Sequence, residues 1–283
     1  MLASPTLARI QDDDHAALAA SCAPGVGLCT IVGIDGSFSR RLGAQMAVMP
    51  DGSTVGSMAD TCLETQLAAD MAESHRPRVL RYGRGSDKID FRLPCGGGLD
   101  ILLEPEPDRE EARLTLQRLD QRRAADQVYS AGELRFRRSY LPSLRITVLG
   151  EGPELETFAA LCAALSIDVQ KLDKSNLALG QEPEGLRYDP YTACLLLFHD
   201  HEWELPLLRQ ALTQGAFYVG AQGGERARID RALALTAHGV REEEIARIVS
   251  PVGAIAQCKT PQSLALSALA EIVGKYERLR DRA

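Results

Sequence analysis

Apolar and polar positions follow two different rhythms along this chain, and the change falls near residue 142. Before it, short apolar runs are cut by turn signals. VGLCTIVGI (26–34) predicts a buried strand, DGSFSRRLGA a turn-rich loop, QMAVMP a second strand and PDGS (50–53) a turn. From about Thr61 to Ser74 the period lengthens: Leu63, Leu67 and Met71 recur every four residues, the apolar stripe of a helix. Thr61 and Glu64 fit a capping box at its start. VLRYG and LDILLEP predict two more strands, and EPEPDREEARLTLQRLDQRRAADQ an exposed, charged helix reaching Gln127.

After SYLPS, strands and helices alternate. LRITVLG (144–150), IDVQKLD (167–173), YTACLLLF (191–198) and AFYVG (216–220) read as strands. PELETFAALCAAL, WELPLLRQAL, the segment around ERARIDRALALTAHG, and TPQSLALSALAEIVGKYERLR read as helices. The last has Thr260 placed to cap it and Pro261 at its first helical position, where the missing N–H does no harm. Such alternation predicts a parallel, doubly wound sheet. The expected fold is α/β: an N-terminal mixed α+β domain over residues 1–142, then a Rossmann-like parallel-sheet domain over 143–283.

Composition narrows the function classes. With 32 basic and 39 acidic residues the formal charge is −7, so no general basic field awaits nucleic acid. Arginines come instead in local clusters such as Arg40 with Arg41. No apolar run is long enough to span a bilayer, and MLASPTLARIQDDD lacks an apolar signal-peptide core. Seven cysteines are scattered singly, without a CxxC pair or zinc spacing. The expectation is a cytoplasmic protein with free thiols.

Five stretches carry candidate chemistry. GEGPEL (150–155) follows a strand and opens a helix as a dinucleotide fingerprint does, and Asp173 ends the next strand, where an acid can hold a ribose. Leu155 replaces the third glycine, and Glu151 and Glu154 set negative charge at the helix start, so a plain tight turn is an equal reading. FHDHE places His199 and Asp200 at a strand end, for metal or proton relay, or with Asp200 as a cap. GAQGGERAR offers backbone amides to an oxyanion, or packing alone. Cys62 stands in the first turn of a helix, where the dipole favours a thiolate; burial as a small hydrophobe is the alternative. Cys95 precedes Gly96, Gly97 and Gly98, a run suited to an anion nest, a close-approaching planar ligand or a flexible turn.

Taken in order, GSFSRRLGAQMAVMPDGSTVGS, TCLE, LPCGGGLDILLEP, VLGEGPE, FHDHEWELPLLRQAL, AFYVGAQGG, SPVG and TPQSLALSALAEI form a wider pattern. It resembles the XdhC/CoxI family, accessory proteins of xanthine dehydrogenase-type molybdenum hydroxylases. The resemblance implies a maturation chaperone rather than an ordinary enzyme. It implies binding of the molybdenum cofactor (molybdopterin, as such or as a dinucleotide), support of its sulfuration with a cysteine desulfurase, and delivery to an apo-hydroxylase. On that footing Cys62 and Cys95 flank the cofactor as metal-side thiolates, Arg40 and Arg41 meet its anionic end, and Gly96, Gly97 and Gly98 admit its flat ring. The Rossmann-like half, with Gly150, Gly152, Asp173, His199 and Asp200, holds a nucleotide portion or forms a homodimer and partner surface. The family's SGGC reads ADTC here (59–62), which sets Asp60 beside the expected anion. Two other readings stand beside this one: an NAD(P)-dependent oxidoreductase using GEGPEL, and a scaffold joining desulfurase to hydroxylase without binding cofactor.

Overall fold

In the computed structural model, which describes residues 13–87 and 96–281, the alternation of the first half becomes a five-stranded antiparallel sheet. Its elements are α1 (Asp13–Ser21), β1 (Gly27–Asp35), β2 (Gln45–Val48), β3 (Thr54–Gly56), α2 (Thr61–Ala72), β4 (Arg78–Gly83) and β5 (Gly98–Glu104). The strand order is β3-β2-β1-β5-β4. Period two sends successive side chains to opposite faces. Cys29, Ile31, Met46, Ile101 and Leu103 turn toward Leu63, Leu67 and Met71 of α2. Leu28, Ala47 and Leu102 turn the other way, toward Ala17 of α1 and Tyr129. Both faces are therefore covered, and the sheet is the middle layer of this unit.

The charged helix is shorter than the sequence predicts. α3 (Arg109–Asp120) stops, and β6 (Ala125–Ala131) and β7 (Leu134–Tyr140) form an antiparallel hairpin in its place. The alternation is present, with Ala125, Gln127 and Tyr129 inward and their neighbours outward. It is hidden because inward positions are polar. Gln45 of β2 donates to Tyr129 Oη at 3.1 Å and to Thr30 Oγ1 at 3.0 Å, and accepts from Tyr140 Oη at 2.7 Å. Gln127 donates to Thr115 Oγ1 at 2.8 Å, and the buried Arg138 guanidinium lies 3.8 Å from the Tyr140 ring centre. The hairpin is seated by hydrogen bonds where a hydrophobicity pattern finds nothing.

The chain divides into two units, Met1–Leu141 and Pro142–Ala283. The second holds β8 (Arg145–Gly150), α4 (Gly152–Ala164), β9 (Asp168–Leu172), β10 (Thr192–Leu197), α5 (Glu204–Thr213), β11 (Tyr218–Ala221), α6 (Glu225–Ala237), α7 (Glu242–Ile245), β12 (Ile248–Val249) and α8 (Pro261–Arg280). Every pairing in its sheet is parallel, in the order β12-β11-β10-β8-β9. All six residues of β10 are buried, as a central parallel strand requires. α4 and α8 pack on one face through Phe158, Cys162, Leu269 and Ile272, and α5 and α6 on the other through Leu208, Leu212 and Leu235. This is the expected Rossmann-like layer order. Thr260 caps α8 with its hydroxyl on Ser263 N–H at 3.2 Å, ahead of Pro261, as the sequence predicts. The order in which strands are added switches sides between β8 and β10, and in such sheets ligands bind in the crevice at the carboxyl ends of the strands at this point.

Candidate functional site

In the first unit, the loop between β1 and β2 joins three of the predicted motifs. At its start, Gly36 takes φ of +93°, and a Cβ there would lie 3.5 Å from Gly97 Cα. The glycine run thus abuts the arginine loop. Part of its smallness serves the chain itself. A Cβ on Gly98 would overlap the Arg81 guanidinium and lie 2.7 Å from the Arg84 carbonyl, while the Gly97 carbonyl accepts from Arg84 N–H at 2.9 Å. Gly97 and Gly98 are buried, whereas Gly96 is exposed, with φ of +67° and open space around it. Cys95 lies outside the described residues. Beneath the run, Arg81 bridges Asp35 at 3.0 Å and Asp100 at 2.9 Å, and Arg84 meets Asp35 at 2.5 Å. The Arg84 hydrogen bond, helped by Arg81, holds the Asp35 carboxyl below its ordinary range.

Farther along the same loop, Arg40 reaches the turn that leads into α2. Its Nε donates to the Ser57 carbonyl at 3.1 Å and its Nη2 to Ser57 Oγ at 3.2 Å. Ser57 Oγ also accepts from Ala59 N–H at 3.0 Å and donates to Glu64 Oε1 at 3.0 Å. The same Glu64 oxygen accepts from Met58 N–H at 2.7 Å. The capping box expected from Thr61 and Glu64 is not what forms. Asp60 is the N-cap, accepting from Leu63 N–H at 2.9 Å, after Ala59 has turned through φ of +62°. Thr61 therefore moves into the first helical position, and Glu64 ties down the preceding turn instead. The acid that replaces a family glycine is satisfied inside the chain, by a backbone donor. Arg41 is half-buried, and its carbonyl accepts from Ala44 N–H at 3.2 Å.

Cys62, one residue into α2, is exposed. Other thiols are not: Cys29, Cys162 and Cys194 are walled into the cores. Burial pushes Cys162 and Cys194 each up to about 12 and Cys29 higher still, so they remain protonated hydrophobes. Arg40 forms no carboxylate pair among the described residues; its partners are a hydroxyl and carbonyl oxygens. A half-buried cation thus docks on the turn 57–60, and an accessible thiol stands in the helix that this turn leads into. No group of three or more His, Cys, Asp or Glu side chains suited to a metal occurs among the described residues.

In the second unit, Gly150, Gly152, Asp173, His199 and Asp200 gather around the carboxyl ends of β8, β9 and β10. Gly150 is a packing glycine: a Cβ would lie 2.5 Å from the Leu197 carbonyl of the neighbouring strand. Gly152 adopts φ of +73° at the start of α4. The chain's own charges meet at the mouth of the crevice. The Glu151 carboxylate meets Lys174 Nζ at 3.0 Å and accepts from the backbone N–H groups of His199 and Asp200. Lys174 first, and those amides after it, hold Glu151 below its ordinary range. Lys174 continues to Asp200 at 3.5 Å. Asp173 turns onto Ser175, accepting from its N–H at 2.8 Å, and Asp200 caps the short 3-10 turn His201–Trp203. His199 stands exposed, 3.6 Å from Glu154. An incoming pyrophosphate would face Glu151 in the place where it needs amides, which counts against the dinucleotide reading.

Sequence reasoning did not single out Ser57, Lys174 or the buried pair Glu204–Arg231, and it gave Glu64 a capping-box role that the structure replaces. Only Glu64 carried a local signal, through its spacing from the helix start. The other roles arise when loops distant in sequence close on one another.

The first unit thus presents an exposed thiol and a cation on a sheet-and-helix scaffold, and the second is a Rossmann-like domain whose strand-end crevice carries the chain's own ion pairs. The XdhC Rossmann domain model matches residues 146–272, and the model of the XdhC and CoxI family matches residues 23–83. The molybdenum cofactor insertion chaperone PaoD of Escherichia coli K12 is 33% identical over 267 residues, 88% of this chain and 82% of PaoD. The uncharacterised protein YqeB of the same organism is 26% identical over 270 residues, 87% of this chain and 42% of YqeB. A crystal structure titled as a xanthine dehydrogenase from Bacillus halodurans superposes with a TM-score of 0.70 at 18% identity, covering 94% of this chain and 96% of that one. The chain belongs to the XdhC and CoxI family.

Proposed function

We propose that this protein is a molybdenum cofactor chaperone that holds the cofactor and passes it to an apo molybdenum hydroxylase. The observation that carries this reading is the 33% identity with the insertion chaperone PaoD, which extends over 88% of the chain. The first unit supplies suitable chemistry. Cys62 is an accessible sulfur donor for a sulfur-ligated metal centre, and Arg40 holds positive charge for the pterin phosphate. Cys95, Arg41 and the open Gly96 complete the proposed cradle, and a cysteine desulfurase is the proposed sulfur source. The cofactor is cargo here, in its plain or dinucleotide form, and a homodimer is the proposed working state.

The test is to purify the protein from molybdate-fed cells and measure bound molybdenum and pterin fluorescence. Wild type is expected to carry both and to raise the activity of a co-expressed apo-hydroxylase. Cys62→Ser should carry markedly less. Protein free of molybdenum and pterin that also fails to activate the hydroxylase would refute the reading.

A further inference from the structure

We infer that Arg81 and Arg84 form a two-guanidinium clamp for a phosphate group, and that the Asp35 carboxylate occupies this clamp until a phosphate displaces it. The inference rests on the cofactor-chaperone reading and adds to Arg40 the side chains that grip a phosphate group of the cargo.

Three N–H donors converge on one carboxylate. Arg84 Nε donates to Asp35 Oδ2 at 3.1 Å and its Nη2 to Oδ1 at 2.5 Å, the two-pronged grip of a guanidinium. Arg81 Nη2 adds a third bond, to Oδ2, at 3.0 Å. Two oxygens of a phosphate can take the same three donors, with the others facing outward. The frame of the clamp does not depend on Asp35. Arg81 Nη1 is tied to Asp100 Oδ2 at 2.9 Å, and its Nε to the Arg84 carbonyl at 2.9 Å. The Arg84 backbone is fixed in turn by its N–H on the Gly97 carbonyl at 2.9 Å. Asp100, inside β5 and opposite Arg81 in register, is the resident counter-ion. Asp35, the last residue of β1, is the exchangeable one.

The exchange meets little resistance. The Arg84 and Asp35 side chains are 60% and 45% exposed, and ion pairs so open to solvent contribute little to stability. A doubly charged phosphate gains more from two guanidiniums than a singly charged carboxylate does. The strands also clear room for these groups. A Cβ on Gly33 would lie 2.5 Å from Asp100 Oδ2, and one on Gly98 would overlap the Arg81 guanidinium. Beyond them, Gly96 is exposed with open space around it. While Asp35 and Asp100 face both arginines the charges cancel. Once Asp35 turns away, a net positive charge remains to hold the phosphate.

The test titrates inorganic phosphate into the full-length protein by calorimetry, in a buffer free of other oxyanions. The two sides of one ion pair are expected to act in opposite directions. Asp35→Asn and Asp35→Ala should bind phosphate about tenfold more tightly than wild type, since a competitor and a like charge are both gone. Arg81→Gln and Arg84→Gln should each bind about tenfold more weakly. Arg84→Lys, which keeps the charge and loses the fork, should fall between wild type and Arg84→Gln. A purely structural pair would shift the variants of both partners the same way. Weaker or unchanged binding in the Asp35 variants therefore overturns the inference, as does wild-type affinity in Arg84→Gln. Pterin loading of the same proteins, purified from molybdate-fed cells, separates the two readings. Opposite shifts in phosphate affinity with no pterin on any of them leave the clamp standing and sink the chaperone reading. Pterin on wild type, with affinities that shift together, sinks the clamp alone. Where both readings hold, Arg84→Gln should carry less pterin than wild type; equal loading would assign the clamp to free phosphate and overturn its role toward the cargo.

Discussion

Removing the guanidinium of Arg231 should destabilise the second unit more than any surface change. Arg231 of α6 donates from Nε to Glu204 Oε2 at 2.8 Å, from Nη1 to Ser250 Oγ at 3.1 Å, and from Nη2 to the Gln222 carbonyl at 2.8 Å. The two charged side chains are only 5% and 2% exposed. In Arg231→Ala, Glu204 keeps only its contact with His201 Nδ1, at 3.0 Å, and the segments after β10, β11 and β12 lose their common tie. Breaking a buried pair from one side costs about 3–5 kcal/mol, because an uncompensated charge stays behind. With a urea slope of about 2 kcal/mol per molar, the unfolding midpoint should drop by about 1.5–2.5 M. The assay is built in. Trp203 is the chain's one tryptophan, it adjoins Glu204, and its ring lies 6.3 Å from that of Phe198 at an interplanar angle of 11°. Tryptophan emission in a urea titration therefore reports on this unit. The paired change Glu204→Gln with Arg231→Met, which leaves no stranded charge, should recover more than half of the loss. A midpoint shift below about 0.3 M in Arg231→Ala would refute the reasoning, since the pair would then behave as a solvated one.

Two further outcomes follow from burial. Glu104 of β5 has an oxygen with no hydrogen-bond partner among the described residues, and desolvation pushes its carboxyl up to about 7. Between its unfolded value near ~4.3 and that point, the folded chain keeps a proton the unfolded chain releases, so stability falls as pH rises through this window and levels off above it. The loss over the whole window is about 3–4 kcal/mol. The margin of Glu104→Gln over wild type should therefore widen by about 2–3 kcal/mol from pH 5 to pH 8 in urea unfolding followed by far-ultraviolet dichroism; a margin that does not change with pH would show that Glu104 is solvated. Thiol labelling of native protein at pH 8 should reach Cys62 and leave Cys29, Cys162 and Cys194 unmodified until denaturant is added. Native labelling of Cys194 at the rate of Cys62 would mean that the β10 core opens readily.

Much of the second unit could be read from its sequence because its local and tertiary demands agree. The apolar run that becomes β10 is buried on both faces, and Thr260 followed by Pro261 can start a helix in only one register. The first unit was less legible where polar residues face inward. Gln127 and Arg138 broke the apolar period of the hairpin, and the charge of the preceding segment extended the apparent helix across it. Asp60 and Thr61 are both competent caps, and the choice was made by the backbone at Ala59, which no propensity reveals. For the site, residue types pointed to Cys62 and Arg40. The glycines pointed in part to the chain's own packing, since Gly98 makes room for Arg81 and Gly150 for Leu197. Ser57 is an unremarkable serine in sequence and acquires its role only when the arginine loop folds over it.

The polar seating of the hairpin restricts how this protein can vary. An oily contact tolerates slippage by a residue or the exchange of one bulky group for another. Gln45, Thr30, Tyr129 and Tyr140 are matched donor to acceptor, so altering any one removes a bond that its neighbour is placed to make. Substitution there must arrive as a set or not at all, and relatives that share this hairpin should carry the whole group or a wholly different one.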